Sequence, residues 1–373
     1  MLDITLVLLA AGNSTRFECG VKKQWLYSGE SPLWVNVAKH FSKMYSFDKI
    51  IIVSPKDDIE IMRNFGPYQF VVGGETRHAS VKNALAHVST THVLVSDIAR
   101  CCVPFEMVNR IIEAKKSADC IVPTLPTIDT LYGENGPIDR EKIRRVQTPQ
   151  LSVTKMLKEA LNDARIFTDE SSAISSFGGN VHFVEGSDKA LKLTTIHDLK
   201  SMHCLKEPSQ KTRTGFGIDT HPFENGKEMF LCGLQIESDF GFKAHSDGDV
   251  AIHAIIDALL GAAGMGDIGE LYPDNDSNYK GVDSKILLKN TVSKIKQFGF
   301  EIGNIDMTIL AEVPKISPHK TEMRQLLARL LEIEPHLINI KATTSEKLGF
   351  IGHKEGVTVH AVANLTYYNW KNV

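Results

Sequence analysis

The chain has 373 residues, 42% hydrophobic and 23% charged, which is too long for one ordinary core and suits two domains of roughly 150 to 200 residues. Lysine plus arginine (42) nearly balances aspartate plus glutamate (45), so no broad basic field exists to hold a nucleic acid or an anionic membrane by charge alone. The apolar stretches at 4–11 and 250–264 are too short or too interrupted to cross a bilayer, and Met1-Leu2-Asp3 lacks the basic start of a signal peptide. Cys19, Cys101, Cys102, Cys120, Cys204 and Cys232 are scattered and form no C-x-x-C pair. They predict reduced thiols in a cytoplasmic protein rather than a disulfide framework or a cysteine-zinc site.

Strands are predicted at 4–10, 49–53, 69–72, 92–96 and 120–123, with helical periodicity at 33–43, 77–87 and 104–116. This alternation predicts an α/β first half, a doubly wound parallel sheet covered by helices. From 124 to 150 the pattern breaks into a polar excursion, too long for a routine connection and therefore expected to be functional or interfacial. Residues 206–213 are polar and proline-bearing and predict a linker, which separates a domain at 1–205 from one at 214–373. The second domain predicts strands at 215–219, 302–311, 337–344 and 357–368 and helices at 250–262, 284–298 and 318–331, an α+β arrangement.

The first strand runs into Ala10-Ala11-Gly12-Asn13-Ser14-Thr15-Arg16, whose small residues let backbone amides approach a phosphate. Lys23 follows seven residues after Arg16, and two cations facing a triphosphate stabilise charge on the α-phosphorus and on departing pyrophosphate. A structural turn with a solvated arginine is the competing reading. Gly73-Gly74-Glu75-Thr76-Arg77-His78-Ala79-Ser80 and Ser96-Asp97-Ile98-Ala99-Arg100 end two further strands, at the sheet edge where ligands of open α/β sheets gather.

Over residues 3 to 205 these motifs resemble the 2-C-methyl-D-erythritol 4-phosphate cytidylyltransferase family. The order continues through Asp129-Thr130, Asp139-Arg140, Thr148-Pro149-Gln150, Thr168-Asp169-Glu170 and Leu191-Lys192-Leu193-Thr194. The resemblance implies a Rossmann-like nucleotidyltransferase fold in which Arg16 and Lys23 stabilise the transition state. It further implies that Ala10, Ala11, Gly12, Gly73, Arg77 and Ser80 hold the nucleotide, and that Arg140 and Lys192 position the acceptor. Asp97, Asp129, Thr130, Thr148 and Thr168 line the site around the acceptor, Mg²⁺ assists, and the excursion is a dimer arm completing a neighbour's site. The chain departs from the family at Leu9 (proline), at Ser14 (a second loop glycine) and at Ser96 to Cys101 (His-Asp-Ala-Ala-Arg-Pro).

In the second half, Asp219 and His221 stand at i, i+2, which on a strand puts both on one face. His253, on a helix entered through His245-Ser246-Asp247-Gly248-Asp249, offers a third donor; one carboxylate with two imidazoles suits Zn²⁺ with an open fourth position. Strand-end hydrogen bonding for the pair and a buried, satisfied His253 are the structural alternatives. Asp249 is read as a cap or outer support rather than a ligand.

Residues 214 to 370 resemble the 2-C-methyl-D-erythritol 2,4-cyclodiphosphate synthase family. The match rests on Asp219-x-His221, Ala244 to His253, Gly266-Asp267-Ile268-Gly269, Tyr272-Pro273-Asp274, Pro314-Lys315 and Lys341 to Phe350. It implies that Asp219, His221 and His253 bind Zn²⁺, that Glu346 helps carry Mg²⁺, and that His245 and Thr344 steady the transition state. It also implies a cytosine pocket from Ala311, Pro314, Lys315, Ile316 and Ser317. Ser246, Asp267, Ile268, Gly269, Tyr272 and Asp276 then meet the substrate, as do Thr343, Phe350 and His353, the last replacing a frequent family arginine. For Asp267 a helix cap is the even alternative.

The family is trimeric with sites between subunits, so one copy should hold an incomplete second site, and a hexamer satisfies both symmetries. A kinase must act between the two reactions and is an expected partner; nucleic acid and membrane are not. A sugar-phosphate nucleotidyltransferase joined to a metal-dependent phosphodiesterase, and a non-catalytic nucleotide-binding scaffold, are the alternatives. CTP-dependent pyrophosphate release separates them.

Overall fold

The computed structural model describes the chain except residues 1–2, 13, 15–16, 18, 163–164, 245, 274, 276–278, 280 and 373. It divides into two compact units, residues 1–208 with 369–373 and residues 209–368. The final segment departs from the expected boundary, because it belongs to the first unit. Trp370 is buried there, and its Nε1 donates to the Tyr27 carbonyl at 2.7 Å. An indole this large gains most by leaving water.

Among the described residues the first unit is built on eight strands. In spatial order they run Arg144–Val146, Cys120–Pro126, Gln150–Val153, His92–Asp97, Ile4–Leu9, Ile50–Ser54 and Gln69–Val72, with Val181–Glu185 also paired to Cys120–Pro126. The runs Ile4–Leu9, Ile50–Ser54 and His92–Asp97 are buried almost throughout, as expected of strands covered on both faces. The sheet is mixed, which corrects the all-parallel expectation. Gln150–Val153 inserts antiparallel between His92–Asp97 and Cys120–Pro126. Four residues following Pro149 carried no strand signal of their own; they form a strand because the flanking partners supply both ladders. The excursion itself contains the exposed hairpin Leu131–Gly133 with Gly136–Ile138.

The second unit has a sheet in the order Phe240–Phe242, Arg213–Asn225, Gly356–Tyr367, Phe300–Leu310 and Ile338–Thr343. The helix Val250–Ala263 is apolar on nearly every side and lies on Arg213–Asn225. Gly215 and Gly217 permit this approach: a Cβ on either would sit 2.0–2.1 Å from the carbonyl oxygens of Ala258 and Ala254. Arg213–Asn225 is thirteen residues long, so Asp219 and His221 both lie inside a strand.

The expectation of six reduced thiols is corrected at one pair. Cys102 and Cys204 form a disulfide across 102 residues of sequence, with Cα atoms 5.5 Å apart. Such a pairing leaves no trace in linear spacing, since the fold alone brings the two segments together. Cys101, Cys120 and Cys232 are not disulfide-bonded.

Two candidate active sites

The first cleft, about 390 Å³, opens at the carboxyl ends of three strands and is lined by Leu9 to Gly12, Ser14, Lys23, Gln24, Gly74 to Arg77, Ser80, Asp97 to Ala99 and Lys192. Its floor is tight. A Cβ on Gly73 would meet the Ala11 Cβ at 2.4 Å, so the two loops require a glycine at this contact. Ser80 Oγ accepts from the Gly74 amide at 3.1 Å, and Thr76 caps the helix Arg77–Leu85 by accepting from Ala79 N. Ser14 has φ of +54°, the left-handed conformation that favours glycine, which explains why a glycine is at home there. Its hydroxyl accepts from the Lys23 amide at 3.0 Å.

A chain of charges crosses the cleft. Glu170, fully buried, receives Arg77 through two bonds at 2.7 and 3.2 Å; Arg77 Nε also donates to Asp97 at 3.2 Å, and Lys192 Nζ donates to Asp97 at 2.6 Å. Burial raises the Asp97 carboxyl, but Arg77 and Lys192 outweigh it and hold the group below the usual carboxylate range. For Glu170 burial wins and its carboxyl lies above the ordinary value despite Arg77. Lys192 is held in place by its own segment, where Leu193 N donates to Ala99 O at 2.8 Å and Arg100 donates to Ala190 O at 2.6 Å. Lys23 Nζ donates to Leu193 O at 3.1 Å.

Ala10, Ala11, Gly12, Lys23, Arg77, Ser80, Asp97 and Lys192 therefore come together in one cleft, with Gly73 under it and Thr148 accepting from the Asp97 amide at 3.4 Å. Arg16 lies outside the described residues. Arg140, Asp129, Thr130 and Thr168 are exposed and do not line the cleft. Arg140 donates to Ile128 O at 2.8 Å within the excursion.

In the second unit Asp219, His221 and His253 offer donor atoms within 4.8 Å of one another. Asp219 Oδ2 lies 3.0 Å from His221 Nε2 and 3.2 Å from His253 Nδ1. The opposite ring nitrogens are engaged: His221 Nδ1 with Gly248 O at 2.8 Å, and His253 Nε2 with Ser284 Oγ at 3.0 Å, itself bonded to Asp247. These outer bonds orient each ring so that one nitrogen faces the carboxylate, the arrangement of a metal-ligating histidine. Burial raises the Asp219 carboxyl, but hydrogen bonds from the two histidines outweigh it and hold it well below the usual range. One hard oxygen and two imidazoles fit a divalent ion.

Asp249 is fully buried and caps Val250–Ala263, accepting from Ala251 N and Ile252 N and also from Cys232 N. Asp267 caps Ile268–Leu271 through Glu270 N at 2.9 Å. The adjoining cleft, about 1110 Å³, is lined by the triad, Ser246, Asp257, Ile268, Gly269 and Tyr272 among others. The Tyr272 hydroxyl is engaged by Leu287 O and Thr291 at 3.0 Å each, so only its ring lines the wall. His245 and Asp276 lie outside the described residues. Ala311, Pro314, Lys315, Ile316, Ser317, Thr343, Thr344, Glu346, Phe350 and His353 do not line this cleft. The segments that follow the parallel pair Phe300–Leu310 and Ile338–Thr343 meet each other, where Ala311 N bonds Thr343 O and Glu312 accepts from Ser345 N and Lys347 N.

Two residues escaped the sequence reading. Glu170 stands in the Thr168-Asp169-Glu170 motif without an assigned role, and nothing in the sequence marks its burial. Asp257 lies four residues after His253, one helical turn on the same face, a spacing that could have found it. It lines the second cleft, accepts from Ile268 N at 2.8 Å, and burial raises its carboxyl.

A phosphate-scale cleft bordered by loop amides and cations, together with a carboxylate–imidazole triad in a separate unit, defines an enzyme with two phosphoryl-chemistry sites. Residues 4–205 match the model of 2-C-methyl-D-erythritol 4-phosphate cytidylyltransferase, and residues 212–366 match that of the YgbB family. The bifunctional enzyme IspD/IspF of Sulfurovum sp. (strain NBC37-1) is 66% identical over the whole of both chains, and that of Aliarcobacter butzleri (strain RM4018) is 52% identical, again over the whole of both. The solved bifunctional IspDF from Campylobacter jejuni superposes with a TM-score of 0.93 at 46% identity, covering 99% of this chain and all of the other. The chain belongs to the bifunctional IspD/IspF family, enzymes of isoprenoid precursor synthesis that join a cytidylyltransferase to a cyclodiphosphate synthase. Among the described residues, no helix is long and apolar enough to cross a membrane.

Proposed function

We propose that the first cleft transfers a cytidylyl group from CTP to 2-C-methyl-D-erythritol 4-phosphate. The acceptor's phosphate oxygen attacks the α-phosphorus, the α–β phosphoanhydride bond breaks, and pyrophosphate leaves. The observation that carries this reading is the Glu170–Arg77–Asp97–Lys192 chain beside the Ala10 to Gly12 loop. Gly12 and its neighbours bring amides to the triphosphate, Lys23 faces the charge developing on it, and Lys192 orients the acceptor phosphate. Asp97 supplies an ionised oxygen suited to Mg²⁺. Arg140 and the excursion act on a neighbour's cleft in a dimer, a reading supported by the exposure of Tyr132 (77%) and Ile128 (72%) on that segment.

In the second unit, Asp219, His221 and His253 hold Zn²⁺, which when bound polarises the β-phosphate of 4-diphosphocytidyl-2-C-methyl-D-erythritol 2-phosphate. The 2-phosphate oxygen attacks the β-phosphorus, CMP leaves, and the 2,4-cyclodiphosphate closes. Ser246 and Asp257 face the diol, while the Ala311 to Ser317 loop and Thr344, with Glu346 and its Mg²⁺, serve the nucleotide from a neighbouring copy. A trimer is supported by the uncovered sheet face carrying Phe216 (58%) and Ile218 (50%). Dimer arms and trimers together make a hexamer. The experiment is to supply CTP, methylerythritol phosphate and Mg²⁺ and follow pyrophosphate in the wild type and in Lys23→Ala. Unchanged turnover in the variant overturns the assignment of the first cleft.

A further inference from the structure

Asp58 is fully buried, yet it lies outside both clefts and outside every motif of the sequence. It stands where the turn Lys56–Asp58 passes into the helix Ile59–Arg63, a position from which a carboxylate ordinarily caps the helix. Asp58 makes no such bond. Its oxygens turn instead toward a segment more than thirty residues earlier in the chain. Lys22 Nζ donates at 2.6 Å, Trp25 Nε1 at 2.7 Å and Gln24 Nε2 at 3.4 Å.

These three donors come from residues 22, 24 and 25, and the one they leave out is Lys23. The segment Lys23–Trp25 is a single 3₁₀ turn whose N-cap, Lys22, makes no side-chain cap, and its first amide is held by Ser14 Oγ at 3.0 Å. Asp58 adds an anchor for the side chains on either side of Lys23, while Trp25 packs edge-on against Phe65 at 5.8 Å. With its neighbours fixed on one side, Lys23 extends to the other, into the cleft. There its ammonium lies 5.5 Å from the centre of the Phe17 ring and 3.1 Å from Leu193 O.

We propose that Asp58 is a positioning residue for cytidylyl transfer, a buried carboxylate that gathers Lys22, Gln24 and Trp25 and thereby aims Lys23 at the reacting triphosphate. This rests on the reading that Lys23 acts in the first cleft. A group that stabilises charge only in the transition state loses its value when displaced by about 1 Å, so the loss falls on turnover more than on substrate binding.

The test uses the full-length enzyme and measures pyrophosphate release from CTP and methylerythritol phosphate, with CMP release by the second unit followed in the same preparations as a control for intact protein. Asp58→Asn is expected to lower kcat about 10- to 100-fold with the KM for CTP changed less than about threefold. The double variant Asp58→Asn with Lys23→Ala is expected to be no slower than Lys23→Ala alone, because the anchor acts through that lysine. Lys22→Met, which removes one partly exposed donor, is expected to give a smaller kcat loss of the same kind and serves if Asp58→Asn does not fold. Multiplying losses in the double variant, or a wild-type kcat in both Asp58→Asn and Lys22→Met while Lys23→Ala is impaired, overturns the positioning role. A wild-type rate in Lys23→Ala overturns the underlying reading of the cleft instead.

Discussion

The two sites of this chain solve the same problem, stabilising charge on phosphorus, from opposite starting materials. In the first cleft the cations are already engaged by internal partners: Arg77 by Asp97 and Glu170, Lys192 by Asp97, and Lys23 by the Leu193 carbonyl. Substrate phosphates must compete for charges that the fold has stored as ion pairs. In the second unit three donors converge on one point, with their outer nitrogens tied back to Gly248 and Ser284. The first arrangement distributes its electrostatics over many side chains, and the second would concentrate it in one bound cation. Losses from single substitutions should therefore be graded in the first site and abrupt in the second.

The sharpest contrast comes from Asp219→Asn. It removes the carboxylate shared by both histidines, and cyclisation is expected to fall by about three orders of magnitude, the scale of several kcal/mol of Lewis-acid stabilisation. Pyrophosphate release should be unchanged, and elemental analysis should show less than one metal ion per site. Retained zinc with retained cyclisation would break the comparison. Next comes Glu170→Gln in the first unit. It leaves Arg77 with Asp97 alone and removes one charge of a buried pair, which costs about 3 kcal/mol or more. Denaturant unfolding monitored through the first unit should register that loss, accompanied by a raised KM for CTP. A smaller effect tests whether the first cleft is shared between copies. Mixing Lys23→Ala with Arg140→Ala, each impaired alone, should restore up to about a quarter of wild-type pyrophosphate release if mixed dimers form one intact site. No recovery after subunit exchange means that Arg140 does not serve a neighbour.

Much of this contrast was legible in the sequence, for identifiable reasons. Strands covered on both faces, such as Ile4–Leu9 and His92–Asp97, announce themselves by unbroken apolar runs, and loops at their carboxyl ends carry Gly12, Arg77 and Asp97 in order. The i, i+2 spacing of Asp219 and His221 survives folding because a strand preserves it. What stayed hidden depends on pairing across distance. Gln150–Val153 becomes a central strand only because two neighbours accept it. Nothing in linear spacing marks Asp58 or Glu170 as buried, since tertiary packing alone removes their water, and Cys102 meets Cys204 only in the folded chain. Asp267 could be weighed in advance only as an even choice between diol and cap; its carboxylate caps Ile268–Leu271.

The smallest expected effect is a pH dependence that bears directly on stored ion pairs. Asp97 has its carboxyl held below the ordinary aspartate value by Arg77 and Lys192 against the opposing effect of burial. A carboxylate depressed in the fold contributes stability that is fully present above its unfolded value and is lost as pH falls through the lower folded value. The wild type should thus lose stability relative to Asp97→Asn only below about pH 4, and the gap should be constant from pH 5 to 7. Lys192→Ala removes one of the two depressing charges, so the acid loss should be smaller and complete at higher pH, while its onset stays set by the unfolded carboxyl. Urea midpoints of the first unit across pH 3 to 7 measure both curves. If Lys192→Ala leaves the size of the acid loss unchanged, Arg77 alone holds Asp97, and Lys192 is available to the acceptor phosphate without breaking a bond that matters to the fold.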